Sequence, residues 1–136
     1  MVDVLTLKQR KYCMSRIHGK DTKPEILIRR MVHCMGYRFR LHQRALPGSP
    51  DIALPRHHKV IFVHGCVWHM HRCRYGRVRP ATNKEFWEKK RGGNVERDRR
   101  NMKALKRMGW NVLVVWECWT RDMPKLERRL RDFLGS

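Results

Sequence analysis

The stretch HGCVWHMHRC, residues 64 to 73, holds three histidines, two cysteines and a tryptophan in ten positions. It follows Val60-Ile61-Phe62-Val63, a wholly apolar run that reads as a buried strand. Thiolates and imidazoles bind zinc, and imidazoles also carry protons near neutral pH. Cys66, His71 and Cys73 offer three such ligands within eight residues. Zinc takes four, arranged tetrahedrally. Cys118 lies two residues past a second apolar run, Trp110 to Trp116, and is the natural fourth ligand if the two strands lie side by side. The spacing C-x4-H-x-C is not the familiar paired C-x2-C, and buried thiols without metal are the alternative. A closed four-ligand zinc is structural rather than catalytic. It would leave His64 and His69 for other work.

Asp51 follows Pro50 at the start of an expected strand. A carboxylate held there at the sheet edge suits a hard, oxygen-seeking cation such as Mg²⁺. Many metal-dependent nucleases pair such a Pro-Asp with Glu-x-Lys on the neighbouring strand. Here that strand offers Ile61, Phe62 and Val63 instead. Pro-Asp is also common in turns, so a turn or capping role competes with catalysis. His64 and His69 beside it make a hydrolytic site plausible, because an imidazole can deprotonate an attacking water at neutral pH. For each histidine the alternative is a hydrogen-bonded packing residue. Trp68, between the zinc candidates, and the pair Phe86-Trp87 are aromatics among basic residues, a combination that suits stacking on bases. For any one tryptophan, capping a small core is the bland alternative.

Composition narrows the partner. The chain has 136 residues, with 32 Lys+Arg against 12 Asp+Glu, for a net charge of +20. So basic a protein most often meets a polyanion, usually nucleic acid. No apolar run approaches the ~18 residues of a membrane span. MVDVLTLKQRKY lacks the apolar core of a secretory signal, which points to a cytoplasmic location. Five cysteines in a reducing compartment read as free thiols or metal ligands rather than disulfides. Cys13 and Cys34 join no metal grouping, and Cys34 reads as plain core.

Supporting elements follow from periodicity. Residues 1–20 read as a basic arm with a short helix carrying Met14 and Ile17, and 21–136 as the catalytic core of a single domain. Thr22-Lys23-Pro24-Glu25 signals a helix start, with Thr22 as cap and Glu25 completing a capping box. Ile28, Met31, Val32 and Met35 follow at helical spacing, and Gly36 is the stop. Tyr37 to Leu41 alternates as a half-exposed strand; Asp51 to Leu54 and Val60 to Val63 are further strands, the last one central. A short helix is expected over 82–91, broken at Gly92-Gly93. Asn94 would cap another, with Val95, Met102, Leu105 and Met108 inward. Trp110 to Trp116 is a strand, and a tail helix after Pro124 buries Leu126, Leu130, Phe133 and Leu134. The class is α/β: helices around a short mixed sheet.

Together GKDTKPE (19 to 25), LPGSPD (46 to 51), VIFVHGCVWHMHRC (60 to 73), PATNKEFWEKK (80 to 90), NVERDRR (94 to 100) and GWNVLVVWEC (109 to 118) resemble the very-short-patch (Vsr) mismatch repair endonucleases. The likeness covers nearly the whole chain from about residue 10 to 118. It implies a restriction-endonuclease-like core, a central mixed β-sheet flanked by helices, with a structural zinc site. The implied activity is nicking of one strand 5′ to the T of a T:G mismatch left by deamination of 5-methylcytosine. Asp51 would bind Mg²⁺, with the backbone carbonyl of Val63 as a second ligand, which accounts for the missing Glu-x-Lys. Two Mg²⁺ ions and one Zn²⁺ are the implied cofactors. His69 would be the general base, His64 would support the phosphate and water, and Glu25 would reach metal-bound waters. Cys66, His71, Cys73 and Cys118 match the zinc ligands. Trp68 and Trp87 match aromatics that wedge beside the mismatch, with Phe86 adjoining. Position 67, usually aromatic, is Val67 here, a smaller wedge. Met14 and Ile17 match a segment that clasps the minor groove. Arg38, Arg40, Arg97, Arg99 and Arg100 are candidates for phosphate contacts, with a solvated helix face as the alternative for the last three.

A monomer acting on mismatched double-stranded DNA is expected, with other mismatch repair proteins as candidate partners. Two rival classes remain: a restriction-type nuclease cutting matched DNA, and a non-catalytic zinc-containing nucleic-acid-binding protein.

Overall fold

A strand apolar on both faces must be covered on both. In the computed structural model, which describes residues 6–15, 23–66 and 84–135, Val60 to Val63 is the heart of an inner strand. The element order is α1 (Leu7–Ser15), α2 (Pro24–Cys34), β1 (Arg40–Leu41), β2 (Ile52–Leu54), β3 (Lys59–His64), α3 (Lys84–Arg107), β4 (Asn111–Trp116) and α4 (Met123–Gly135). The sheet has four strands in the order β1-β2-β3-β4. β2 runs antiparallel to both β1 and β3. β3 and β4 are parallel, in register from Lys59↔Asn111 to His64↔Trp116. The expected mixed sheet and the neighbouring placement of the two apolar strands are therefore present.

Period-two alternation divides the sheet's side chains between two layers. Ile52, Leu54, Ile61 and Val115 point to one face, where Leu27, Ile28, Met31 and Val32 of α2 and Leu126, Leu130 and Leu134 of α4 cover them. Ala53, Val60 and Phe62 point to the other, against Leu105 of α3. Each fully buried leucine stabilises the fold by about 2 kcal/mol. Lys59 opens β3 almost wholly buried. Its Nζ donates to the Leu134 carbonyl at 3.0 Å, placing a cation at the end of α4 where the helix dipole favours one.

Several expectations are corrected. Gly92-Gly93 does not break a helix: α3 runs unbroken from Lys84 to Arg107. A glycine inside a helix costs only about 1 kcal/mol, and the flanking Glu, Lys and Arg residues are good helix formers. Asn94 is accordingly helix interior rather than cap. Of the residues expected inward, Leu105 is buried and Val95 and Met102 are half-buried, but Met108 falls in the turn after α3 and is exposed. The strand over Tyr37 to Leu41 shrinks to Arg40–Leu41, both exposed, because β1 is an edge with a single partner. Cys13 and Cys34 form a disulfide between α1 and α2, contrary to the reading of both as thiols. The pairing depends on α1 lying against α2, which no local pattern encodes. The stop signals stand: Gly36 and Gly109 follow α2 and α3.

Candidate active site

The β1–β2 hairpin sets the first residues. His42 N–H donates to the Asp51 carbonyl at 3.2 Å, and Gln43 N–H to the Pro50 carbonyl at 3.3 Å. This continues the ladder beyond Leu41↔Ile52 and sets residue 42 opposite residue 51. Gly48 holds the intervening turn in place. Its φ is +78°, and a Cβ there would meet the Asn101 Nδ2 at 3.0 Å and the Phe62 ring at 3.1 Å. A left-handed backbone pressed against two neighbours admits only glycine.

Asp51 stands just before β2, and its Oδ2 accepts the Val63 N–H at 2.7 Å. The second oxygen site is Glu25, in the first turn of α2. Its Oε1 accepts from Arg29 Nη2 at 2.7 Å and lies 3.0 Å from His42 Nε2. Arg29 Nη2 is also 3.0 Å from His42 Nε2. Ligand atoms from Glu25, His42 and Asp51 all lie within 4.8 Å of one another. The capping-box role for Glu25 is not observed: Lys23 is the cap residue, without a side-chain bond, and α2 begins at Pro24. Glu25 turns instead toward Arg29 and His42.

Burial pushes the Asp51 carboxyl above its ordinary 3.8; the Val63 N–H opposes this, Glu25 raises it further, and His42 and Arg29 lower it. A divalent cation at this point would offset both raising influences. With two carboxylates facing each other, these residues fit a hard metal ion.

His64 ends β3, buried, with its ring 5.3 Å from the Trp116 ring and Nδ1 3.8 Å from Asp98 Oδ2 on α3. An open cleft of about 220 Å³ runs past Lys23, Glu25, Val63, His64 and Glu117. It lies at the carboxyl ends of the parallel strands β3 and β4, where open α/β sheets bind ligands. Cys66 is buried and Cys118 half-buried; each lies two residues past the paired ends His64↔Trp116. Neither is in a disulfide.

Of the expected site residues, the fold gathers Asp51, Glu25, Val63 and His64 at one end of the sheet. Ile17, Val67, Trp68, His69, His71 and Cys73 lie outside the described residues, as does the Met14 side chain. His42, Arg29 and Glu117 were missed. His42 was open to discovery: counting back from Asp51 across the hairpin would have paired them. Arg29 is one turn after Glu25, a routine helical ion-pair spacing that points nowhere by itself.

The sequence model of the family "DNA mismatch endonuclease Vsr" matches residues 2–75. The chain belongs to this family. It is 46% identical over 134 residues to the type II nicking enzyme V.XorIIP of Xanthomonas oryzae pv. oryzae, covering 98% of each chain. It is 44% identical to the DNA mismatch endonuclease Vsr of Escherichia coli, over 93% of this chain and 80% of that one. The type II nicking enzyme V.NmeAIP of Neisseria meningitidis is 39% identical, over 96% and 92%. The protein is thus a Vsr-family DNA endonuclease, and DNA is its substrate.

For a Vsr-family endonuclease the basic, aromatic flank of α3 is notable. Phe86 is 59% exposed and meets the half-buried Trp87 edge-on at 5.2 Å. Lys90 Nζ lies 5.9 and 5.8 Å from the two ring centres. The expectation that one of the pair turns inward fits Trp87. Arg97, Arg99 and Arg100 are exposed further along α3, and Arg38 and Arg40 are exposed around β1. No helix among the described residues is long and apolar enough to cross a membrane.

Proposed function

We propose that this protein nicks one strand of duplex DNA on the 5′ side of the T in a T:G mismatch, by metal-assisted phosphodiester hydrolysis. The observation that carries the hydrolytic part is the Asp51 carboxylate, fixed by the Val63 N–H and facing Glu25 at the strand ends. Asp51 and the Val63 carbonyl would hold Mg²⁺, with two ions serving the reaction. A bound Mg²⁺ supplies Lewis-acid stabilisation of charge developing on the phosphoryl group and leaving oxygen. His69 takes the proton of the attacking water. His64, held at the end of β3, orients phosphate and water, and Glu25 orients waters at its edge. In-line attack yields a 5′-phosphate and a 3′-hydroxyl.

Cys66 and Cys118, each two residues past the ends of adjacent strands, would bind one structural Zn²⁺ with His71 and Cys73. Trp68 and Trp87 wedge beside the mismatch, where a T:G pair unstacks at lower cost than a matched one. Met14 and Ile17 clasp the minor groove, and the exposed arginines hold phosphates. The enzyme acts as a monomer, as one nick needs one active site.

A second reading is a nickase of matched DNA; it is favoured by relatives named as type II nicking enzymes. Labelled T:G and T:A duplexes of one sequence, incubated with protein and Mg²⁺, separate the two. The mismatch reading expects nicking of T:G alone, 5′ to the T. Equal cleavage of both duplexes sinks it, and no cleavage of either sinks the nuclease mechanism.

A further inference from the structure

Of the three residues whose ligand atoms converge here, Glu25, His42 and Asp51, the proposed chemistry leaves His42 unused. Its backbone has a φ of 48°, a left-handed conformation uncommon for a non-glycine residue. Two contacts hold it there: its N–H on the Asp51 carbonyl at 3.2 Å and its Nε2 3.0 Å from Glu25 Oε1. Strain of this kind, at about 1 kcal/mol or more, persists where surrounding structure enforces it and clusters at functional sites.

Glu25 Oε1, His42 Nε2 and Arg29 Nη2 form a triangle: Nη2 lies 2.7 Å from Oε1 and 3.0 Å from Nε2, and Oε1 and Nε2 are 3.0 Å apart. Ligand atoms of the ring and of the two carboxylates converge within 4.8 Å. A cation among them would take the place of the Arg29 N–H at Nε2, while Arg29 keeps its bond to Glu25. The spacing agrees. Two ligands about 2.1 Å from one ion and at right angles lie about 3 Å apart, and Glu25 Oε1 and His42 Nε2 are 3.0 Å apart. The side chain of His42 is 52% exposed, so an ion reaches it from solvent.

We propose that His42 Nε2 is a direct ligand of a divalent cation held with Asp51 and Glu25, making this a mixed nitrogen–oxygen site. It rests on the reading of Asp51 as a metal ligand and adds a class of ion to it. An imidazole nitrogen favours Mn²⁺ and its first-row neighbours over Mg²⁺, which prefers oxygen. His42 thus sets which cations the endonuclease accepts.

The test uses the full chain without DNA. Mn²⁺ is added to zinc-loaded protein, and spin-echo spectroscopy records coupling of the Mn²⁺ electron spin to histidine nitrogen, with ¹⁵N-histidine labelling to identify it. Calorimetry gives Mn²⁺ and Mg²⁺ affinities for the same samples. The variant is His42→Asn, because Asn tolerates positive φ; His64→Asn is the comparison. Nitrogen coupling is expected in the wild type and in His64→Asn, and lost in His42→Asn. Mn²⁺ affinity should fall about tenfold in His42→Asn while Mg²⁺ affinity changes less than about threefold. No nitrogen coupling in the wild type overturns the proposal even if His42→Asn does not fold. Coupling that survives in His42→Asn, or that disappears in His64→Asn, overturns it too. If the wild type nicks DNA in Mg²⁺ yet shows no nitrogen coupling, only this inference falls. If it binds neither cation and nicks nothing, the hydrolytic reading falls with it.

Discussion

Glu25, His42 and Asp51 come from the first turn of a helix, the end of an edge strand and the residue before β2. Cys66 and Cys118 instead follow two parallel strands, two residues beyond their last paired positions. The carboxylate centre therefore depends on three separate placements, each held by its own hydrogen bonds. The cysteine pair depends on one thing, the register of β3 with β4. The donor atoms differ likewise: oxygen with one nitrogen in the first, sulfur in the second. The two positions should respond to different ions and different mutations.

The largest expected effect comes from Asp51→Asn. Loss of the carboxylate at the centre should lower the single-turnover nicking rate on a T:G duplex by about 10³-fold, equivalent to roughly 4 kcal/mol. Bound zinc should stay unchanged by elemental analysis. Zinc lost together with activity would show that the two positions are not independent. Next, Cys118→Ser should weaken zinc by more than the roughly 10–100-fold that losing an outer-shell partner costs. It should also lower Tm by about 5 °C or more. Unchanged stoichiometry and melting would remove Cys118 from the zinc set.

A smaller effect tests what holds the carboxylate centre together. Gly48→Ala places a Cβ 3.0 Å from Asn101 Nδ2 at a φ of +78°. About 2 kcal/mol of stability should be lost in urea unfolding, with nicking weakened and zinc binding untouched. A fully active, fully stable variant would show that the turn does not position Asp51.

The smallest effects concern charge. The Asp51 carboxyl is raised above 3.8 in the folded chain, chiefly by burial. The folded state thus binds its proton more tightly than the unfolded state does. That contribution to stability is fully present below about pH 3.8 and is lost as pH rises through the folded value. Without added metal, Asp51→Asn should therefore melt above the wild type at neutral pH, and the gap should close as pH falls toward 4. A gap that widens on acidification would contradict the raised value. Arg99→Ala should reduce the salt dependence of DNA binding by about one unit of slope, equally for matched and mismatched duplexes. A loss confined to T:G would place Arg99 at the mismatch rather than on a phosphate.

Much of this was legible beforehand, and what was not has a common cause. The inner strand Val60 to Val63, the strand Trp110 to Trp116 and the tail helix follow from apolar periodicity, which burial imposes on the sequence directly; that the two strands run parallel came from the structure. Asp51, Glu25 and His64 stood out by residue type or through the family resemblance, and the fold brings them to one end of the sheet. The sequence reading breaks α3 at Gly92-Gly93 because the pair is a local signal, and its local cost of about 2 kcal/mol is outweighed by the helix around it. The disulfide and the His42 contact were invisible for the opposite reason: nothing local marks them.

By itself, then, the sequence determined the α/β class, the basic character suited to DNA, the family and the separation of the cysteines from the carboxylates along the chain. Tertiary structure alone decided that Cys13 meets Cys34, that Glu25 leaves the helix cap for Arg29 and His42, and that His42 stands opposite Asp51. Composition and periodicity record what each residue buries, so they survive in the one-dimensional chain. Which side chains meet across elements depends on register and on how helices dock, and those are settled only when the sheet and its helices pack together.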